Sequence, residues 1–137
     1  MSDKGVLETE NGYKLLNPTK QEIAKEICAL DGVDNSFLVL ENDTESYIQV
    51  GGGPDEFTVE VRVYSNDGKF THWKAECREF RSIDMRIILI SGSPVKVQTT
   101  QILNIQTVQK LFEAFVNGDL LAKIVKWEDI TSMFVNS

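Results

Sequence analysis

His72 is the only histidine in the chain, so any imidazole chemistry has to pass through it. A general base needs an orienting partner and a proton affinity near neutrality. Lys74 and Glu76 share an alternating strand face with His72, which puts a Glu76–His72 contact within reach. No GxSxG elbow accompanies the serines. The expectation is a surface or half-buried strand histidine without chemistry. Gly51-Gly52-Gly53-Pro54 suggests a phosphate loop, but no GK[ST] follows, and Asp55 and Glu56 would repel phosphate. It reads as a flexible turn between strands. Glu41-Asn42-Asp43-Thr44-Glu45 alternates oxygen ligands like the start of a calcium loop. Its sixth position, however, is Ser46 where glycine is required, and strands flank it. It reads as a solvated turn. Cys28 and Cys77 form no CxxC, and with one histidine they are too few for zinc. They read as two buried, reduced thiols. No catalytic set, no metal site and no cofactor is expected.

Charge is more informative. There are 14 basic and 21 acidic side chains, a net charge of −7, which opposes nucleic-acid binding and docking on an anionic membrane. No basic residue occurs between Lys25 and Arg62, while Glu26, Asp31, Asp34, Glu41, Asp43, Glu45, Asp55, Glu56 and Glu60 all fall there. Turns that gathered these carboxylates on one sheet edge would make a face attractive to a basic partner. Glu41, Asp43, Glu45, Asp55, Glu56 and Glu60 are therefore the candidate partner-binding residues.

The elements that must position them follow from pattern. Residues 1–16 are polar and read as a flexible N-terminal segment; residues 17–137 read as one domain, with no linker inside it. Asn17-Pro18-Thr19 opens a helix over about 18–30, with Thr19 and Glu22 at capping-box spacing and Ile23, Ile27 and Leu30 on one face. Strands are expected at 37–40, 47–50, 57–64, 69–77, 85–90 and 95–99. The alternation Phe57, Val59, Val61, Val63 against Thr58, Glu60, Arg62, Tyr64 is the clearest of these. Asn66-Asp67-Gly68 is a hairpin turn, and Ser91-Gly92-Ser93-Pro94 another. Asn104 caps a second helix whose apolar face runs from Ile105 to Phe115 and which ends at Asn117-Gly118. Leu120–Val125 fits helix or strand, and Trp127-Glu128-Asp129-Ile130 starts a short terminal turn or helix. Trp73 and Trp127 read as core residues with satisfied N–H groups. The fold class is α+β: a mostly antiparallel sheet of about five to six strands, with an N-terminal and a C-terminal helix packed on it.

One set of short motifs carries a resemblance. Tyr47-Ile48-Gln49-Val50 runs into a glycine break, and Val59-Glu60-Val61-Arg62 and the pair His72-Trp73 follow. Phe112-x-x-Phe115 then leads through Asn117-Gly118-Asp119 to Trp127. Over roughly residues 36–130 this resembles small α+β bacterial immunity proteins encoded beside polymorphic or contact-dependent toxins. The resemblance implies a cytoplasmic, non-enzymatic inhibitor that binds a cognate toxin domain, and it fixes no contact residues.

The opening MSDKGVLETENGYKLL has no apolar run of signal-peptide type, and Ile87-Ile88-Leu89-Ile90 is far too short to span a membrane. A cytoplasmic protein is therefore expected. Two other readings stand beside the toxin inhibitor. One is a structural or regulatory adaptor that forms a homodimer through an exposed strand edge. The other is a small enzyme or ligand carrier with a pocket between sheet and helices.

Overall fold

A computed structural model describes residues 5–77, 85–91 and 93–134. The helix that the capping box announces is there. In α1 (Lys20–Cys28) the Glu22 N–H donates to Thr19 Oγ1 at 3.1 Å, and the Thr19 N–H donates to Glu22 Oε1 at 2.8 Å. Two of the four orphan donors of the first turn are thereby satisfied. Pro18 therefore precedes the cap. Helix α2 (Ile105–Val116) is capped by Asn104, whose Oδ1 accepts from the Thr107 N–H at 2.8 Å.

Seven strands form one antiparallel sheet: β1 (Val6–Thr9), β2 (Lys14–Leu16), β3 (Phe37–Glu41), β4 (Tyr47–Gly52), β5 (Phe57–Tyr64), β6 (Phe70–Glu76) and β9 (Lys126–Asp129). Their spatial order is β2-β1-β3-β4-β5-β6-β9. Strands β7 (Met85–Ile90) and β8 (Ser93–Gln98) pair with each other as a separate hairpin and do not continue the meander. That hairpin packs against β4, and the Ser91 N–H donates to Ser36 Oγ beside it. Gly92 of its turn lies outside the described residues.

One sheet face carries the apolar residues. Leu7, Leu38, Leu40, Ile48, Val50, Val59, Val61 and Ala75 join Ile23, Ile27, Val108, Leu111, Phe112 and Phe115 of the helices in a single buried cluster. Trp127 packs against it and donates its indole N–H to the Ala122 carbonyl at 2.9 Å. Trp73, in contrast, is half-buried outside that cluster, and its indole N–H donates to Thr71 Oγ1 at 2.9 Å.

Several other expectations need correction. Residues 6–16 are not a flexible lead-in; they form a hairpin that pairs with β3, because Leu7 reaches the core and is 0% exposed. Residues 1–4 of that segment lie outside the described residues. Trp127 to Asp129 belong to a strand, because the open edge of β6 satisfies their backbone groups, and the expected terminal turn follows it as a 3-10 turn at Thr131–Met133; residues 120–125 are turn and bend, neither helix nor strand. The cysteines are unpaired as expected but not buried: Cys28 is exposed and Cys77 half-buried. The triple glycine is not a loose turn either. Gly32 sits at φ +77°, where a side chain would overlap the Gly53 carbonyl, and a Cβ on Gly53 would lie 2.6 Å from the Leu30 carbonyl oxygen. The loop after α1 and the β4–β5 turn interlock through backbone that only glycine can bring so close.

If the N-terminal hairpin is part of the folded domain, Leu7→Ala should cost roughly 2–5 kcal/mol in urea unfolding. The exposed Tyr13→Ala should stay within about 0.5 kcal/mol. Equal, small effects from both would show that the hairpin contributes nothing to stability.

Candidate functional site

The sheet face turned away from the helices carries the charged residues. Register builds it row by row. Tyr47 stands opposite Arg62, which stands opposite His72. In the next row Gln49 faces Glu60, Glu60 faces Lys74, and Lys74 faces Glu128. Side chains in these rows converge on His72, which is 2% exposed. Arg62 Nε–H donates to His72 Nδ1 at 3.0 Å. Since a guanidinium can only donate, Nδ1 holds the lone pair and Nε2 holds the proton. That proton is donated to Glu60 Oε1, 2.6 Å away. Lys74 Nζ approaches Glu60 Oε2 at 3.9 Å.

Aromatic rings enclose the group. The Arg62 guanidinium lies 4.0 Å from the Phe70 ring centre, 4.9 Å from that of Phe134 and 5.7 Å from that of Tyr47. Such contacts hold a cation over the ring faces. Phe134 also packs on His72, ring centres 4.3 Å apart. The backbone is tied as well: the His72 N–H donates to Thr131 Oγ1 at 2.9 Å, and the Ile130 N–H donates to the His72 carbonyl at 2.8 Å. The 3-10 turn Thr131–Met133 therefore caps this end of the sheet face.

This arrangement braces the sheet face and leaves neither ring nitrogen of His72 free. Both ring nitrogens of His72 are engaged and the ring is covered. The partner of His72 is Glu60 across the hairpin, not Glu76 on its own strand. Burial pushes the Glu60 carboxyl up, but the His72 hydrogen bond and the charges of Lys74 and Arg62 outweigh it, holding the group below its ordinary value.

The remaining acidic candidates divide between two places. Glu41, Asp43 and Glu45 surround the β3–β4 turn, which is tied by Asn42. Its Oδ1 accepts from the Thr44 N–H at 2.9 Å, the Thr44 hydroxyl at 2.7 Å and the Ser46 N–H at 3.1 Å. Asp55 and Glu56 lie in the β4–β5 turn at the other end of β4. At about 3.3 Å per residue the six-residue strand separates the two turns by roughly 20 Å. Glu60 sits between them, inside the brace. The six carboxylates are thus not one face.

The Asp55–Glu56 end has further components. Asp31 and Asp34 arrive on the loop after α1, and Asp31 Oδ1 accepts from the backbone N–H groups of Val33, Asp34 and Asn35 at 2.9–3.0 Å. Those bonds hold its carboxyl below the ordinary value. A cleft of about 180 Å³ opens here between Asp31, Val33, Glu56, Ile87 and Ile88. Val33 is 55% exposed and Ile87 64%. Sequence reading assigned Ile87 to a strand but had no signal for its meeting the acidic loops, because that contact depends on where a separate hairpin docks. Among the described residues, no group of three or more metal-ligating side chains comes together, and no helix is long and apolar enough to cross a membrane.

No protein-family model matches the chain, and no curated protein matches it. A solved structure does. The crystal structure of a hypothetical protein from Neisseria gonorrhoeae superposes with a TM-score of 0.56 at 15% identity, over 90% of this chain and 95% of that one. At that identity the likeness is one of fold alone.

Because the folded Glu60 carboxyl sits below its ordinary value of 4.5, its contribution to stability is complete above that pH and is lost as pH falls through the lower, folded value. Denaturant midpoints measured from pH 6 to pH 3 should fall less steeply for Glu60→Gln than for wild type. Parallel curves would refute the pairing. Glu10, Asp31, Asp67 and Asp129 are lowered too, so the difference between the two proteins carries the test, not either slope.

Proposed function

We propose that this chain is a non-catalytic binding domain for a basic protein, of the immunity kind that neutralises a toxin domain by direct contact. One observation carries the reading: at the β4–β5 end, carboxylates rim exposed apolar residues. Asp31, Asp34, Asp55 and Glu56 belong to that end, and Val33 and Ile87 are open to solvent beside them. An apolar centre inside a polar rim is the usual anatomy of a protein interface. The motif resemblance in residues 36–130 and the net charge of −7 support it as well. The engagement of both His72 nitrogens weighs against the enzyme reading. A second reading has its own observation. Strand β2 is an edge of the sheet, and Tyr13 and Leu16 on or beside it are 52% and 75% exposed, which suits edge-to-edge homodimerisation.

Co-expression with the product of the neighbouring gene tests the leading reading. It should give a stable complex and restore growth to cells poisoned by that product. The double variant Asp55→Lys/Glu56→Lys should weaken the complex at least tenfold, largely through slower association, while Asp43→Lys/Glu45→Lys leaves it nearly unchanged. Absence of a complex, or equal loss from both variants, removes the proposal. Sedimentation showing a tight homodimer and no heterologous partner would favour the second reading.

A further inference from the structure

We infer that β9 is a self-pairing edge, through which two copies of this chain join their sheets in antiparallel register about a two-fold axis at Trp127. The inference does not rest on the basic-partner reading, and it places self-association at the opposite edge of the sheet from β2.

Backbone register supplies the first argument. The Ile130 N–H donates to the His72 carbonyl at 2.8 Å. Antiparallel pairs alternate between bonded and non-bonded. Counting on from that bond through the β6–β9 register, Glu128 and Lys126 are the residues of β9 whose backbone groups bond β6. Trp127 and Asp129 therefore turn their N–H and C=O groups away from β6, and among the described residues these groups bond no other backbone. β9 is the last strand of its sheet, so this row is a template for one more strand.

Charge supplies the second argument and chooses the occupant. An interface about a two-fold axis has to be self-complementary. Lys126 and Glu128 are both exposed and share one face of β9. Lys126 makes no ion pair among the described residues. Glu128 Oε1 accepts from the Gln101 amide at 3.2 Å, a neutral donor, and no cation pairs with it among the described residues. In a continuous sheet only residues of the same face can stand opposite each other. With Trp127 on the axis, Trp127 bonds Trp127 of the second copy, and Lys126 of each copy meets Glu128 of the other. Moving the axis to Glu128 also forms backbone bonds, but it sets the two Glu128 side chains against each other, and like charges directly opposite are destabilising. Charge thus selects the first register. The three-residue β2 has no such pattern: with Leu15 on the axis, Lys14 would meet Leu16.

Sedimentation velocity of the full-length protein over a concentration series tests this. Wild type should associate to a dimer. Lys126→Glu and Glu128→Lys each oppose like charges across the axis and should each weaken the dimer roughly tenfold. An equimolar mixture of the two variants restores opposite charges at both contacts and should recover dimerisation, which also shows that both variants fold. Leu16→Glu, on the far edge, should leave the dimer unchanged. A wild type that stays monomeric throughout, single variants that dimerise as wild type does, or a mixture no tighter than its components would overturn the inference. So would loss of the dimer in Leu16→Glu, which assigns self-association to β2.

Discussion

The register Tyr47–Arg62–His72 decides which face of the sheet is which. Along β5 and β6 each residue alternates sides, so one slip would carry Glu60, Arg62 and His72 against the helices and turn Val59 and Val61 outward. Moving even two charges into that core would cost several kcal/mol each. A domain of this size has only about 5–15 kcal/mol of stability in total. The polar group therefore specifies the pairing as much as the valines do. It is tolerated in its half-buried place because both imidazole nitrogens and both carboxylate oxygens meet partners: Arg62 on Nδ1, Glu60 on Nε2, Lys74 on the far carboxylate oxygen.

The same group explains how the end of the chain is held. β9 adds to β6 through backbone pairing, and the turn after it folds back so that Thr131 and Ile130 bond both backbone groups of His72. Phe134 then closes over the imidazole and the guanidinium. His72 is a joint between the central hairpin and the C-terminal segment.

Signals confined to a few residues were legible. Thr19 with Glu22, Asn104, the alternation of β5 and the Asn66-Asp67-Gly68 turn each act locally, and each element stands where those residues put it. Elements made by distant pairing were not. β1 and β2 contribute only Leu7 to the fully buried set, so their sequence looks like a polar tail. β9 is four residues of Lys-Trp-Glu-Asp whose strand character comes from the edge of β6. The Glu60–His72 bond falls between these cases. A hairpin turn at 65–69 fixes Tyr64 opposite Phe70 and hence Arg62 opposite His72, so counting back from the turn reaches Arg62 directly and Glu60 on the diagonal. Looking along one strand for a partner found Glu76 instead.

The separation of the acidic residues changes how the net charge should be understood. At physiological ionic strength the screening length is about 8 Å. The β3–β4 and β4–β5 turns are roughly 20 Å apart along β4, more than two screening lengths. Their carboxylates therefore do not pool into one field at contact range, although both speed the approach of a cation from solution. What separates the ends is the apolar surface beside the charge. The β3–β4 turn is tied by Asn42, and its acids stand around a polar loop. The β4–β5 end sets its acids against Val33 and Ile87. Charge without dehydrated surface gives steering but little residence. Charge around an apolar cleft gives both, so any partner drawn by the acidity of the whole chain has more reason to remain at the second end than at the first.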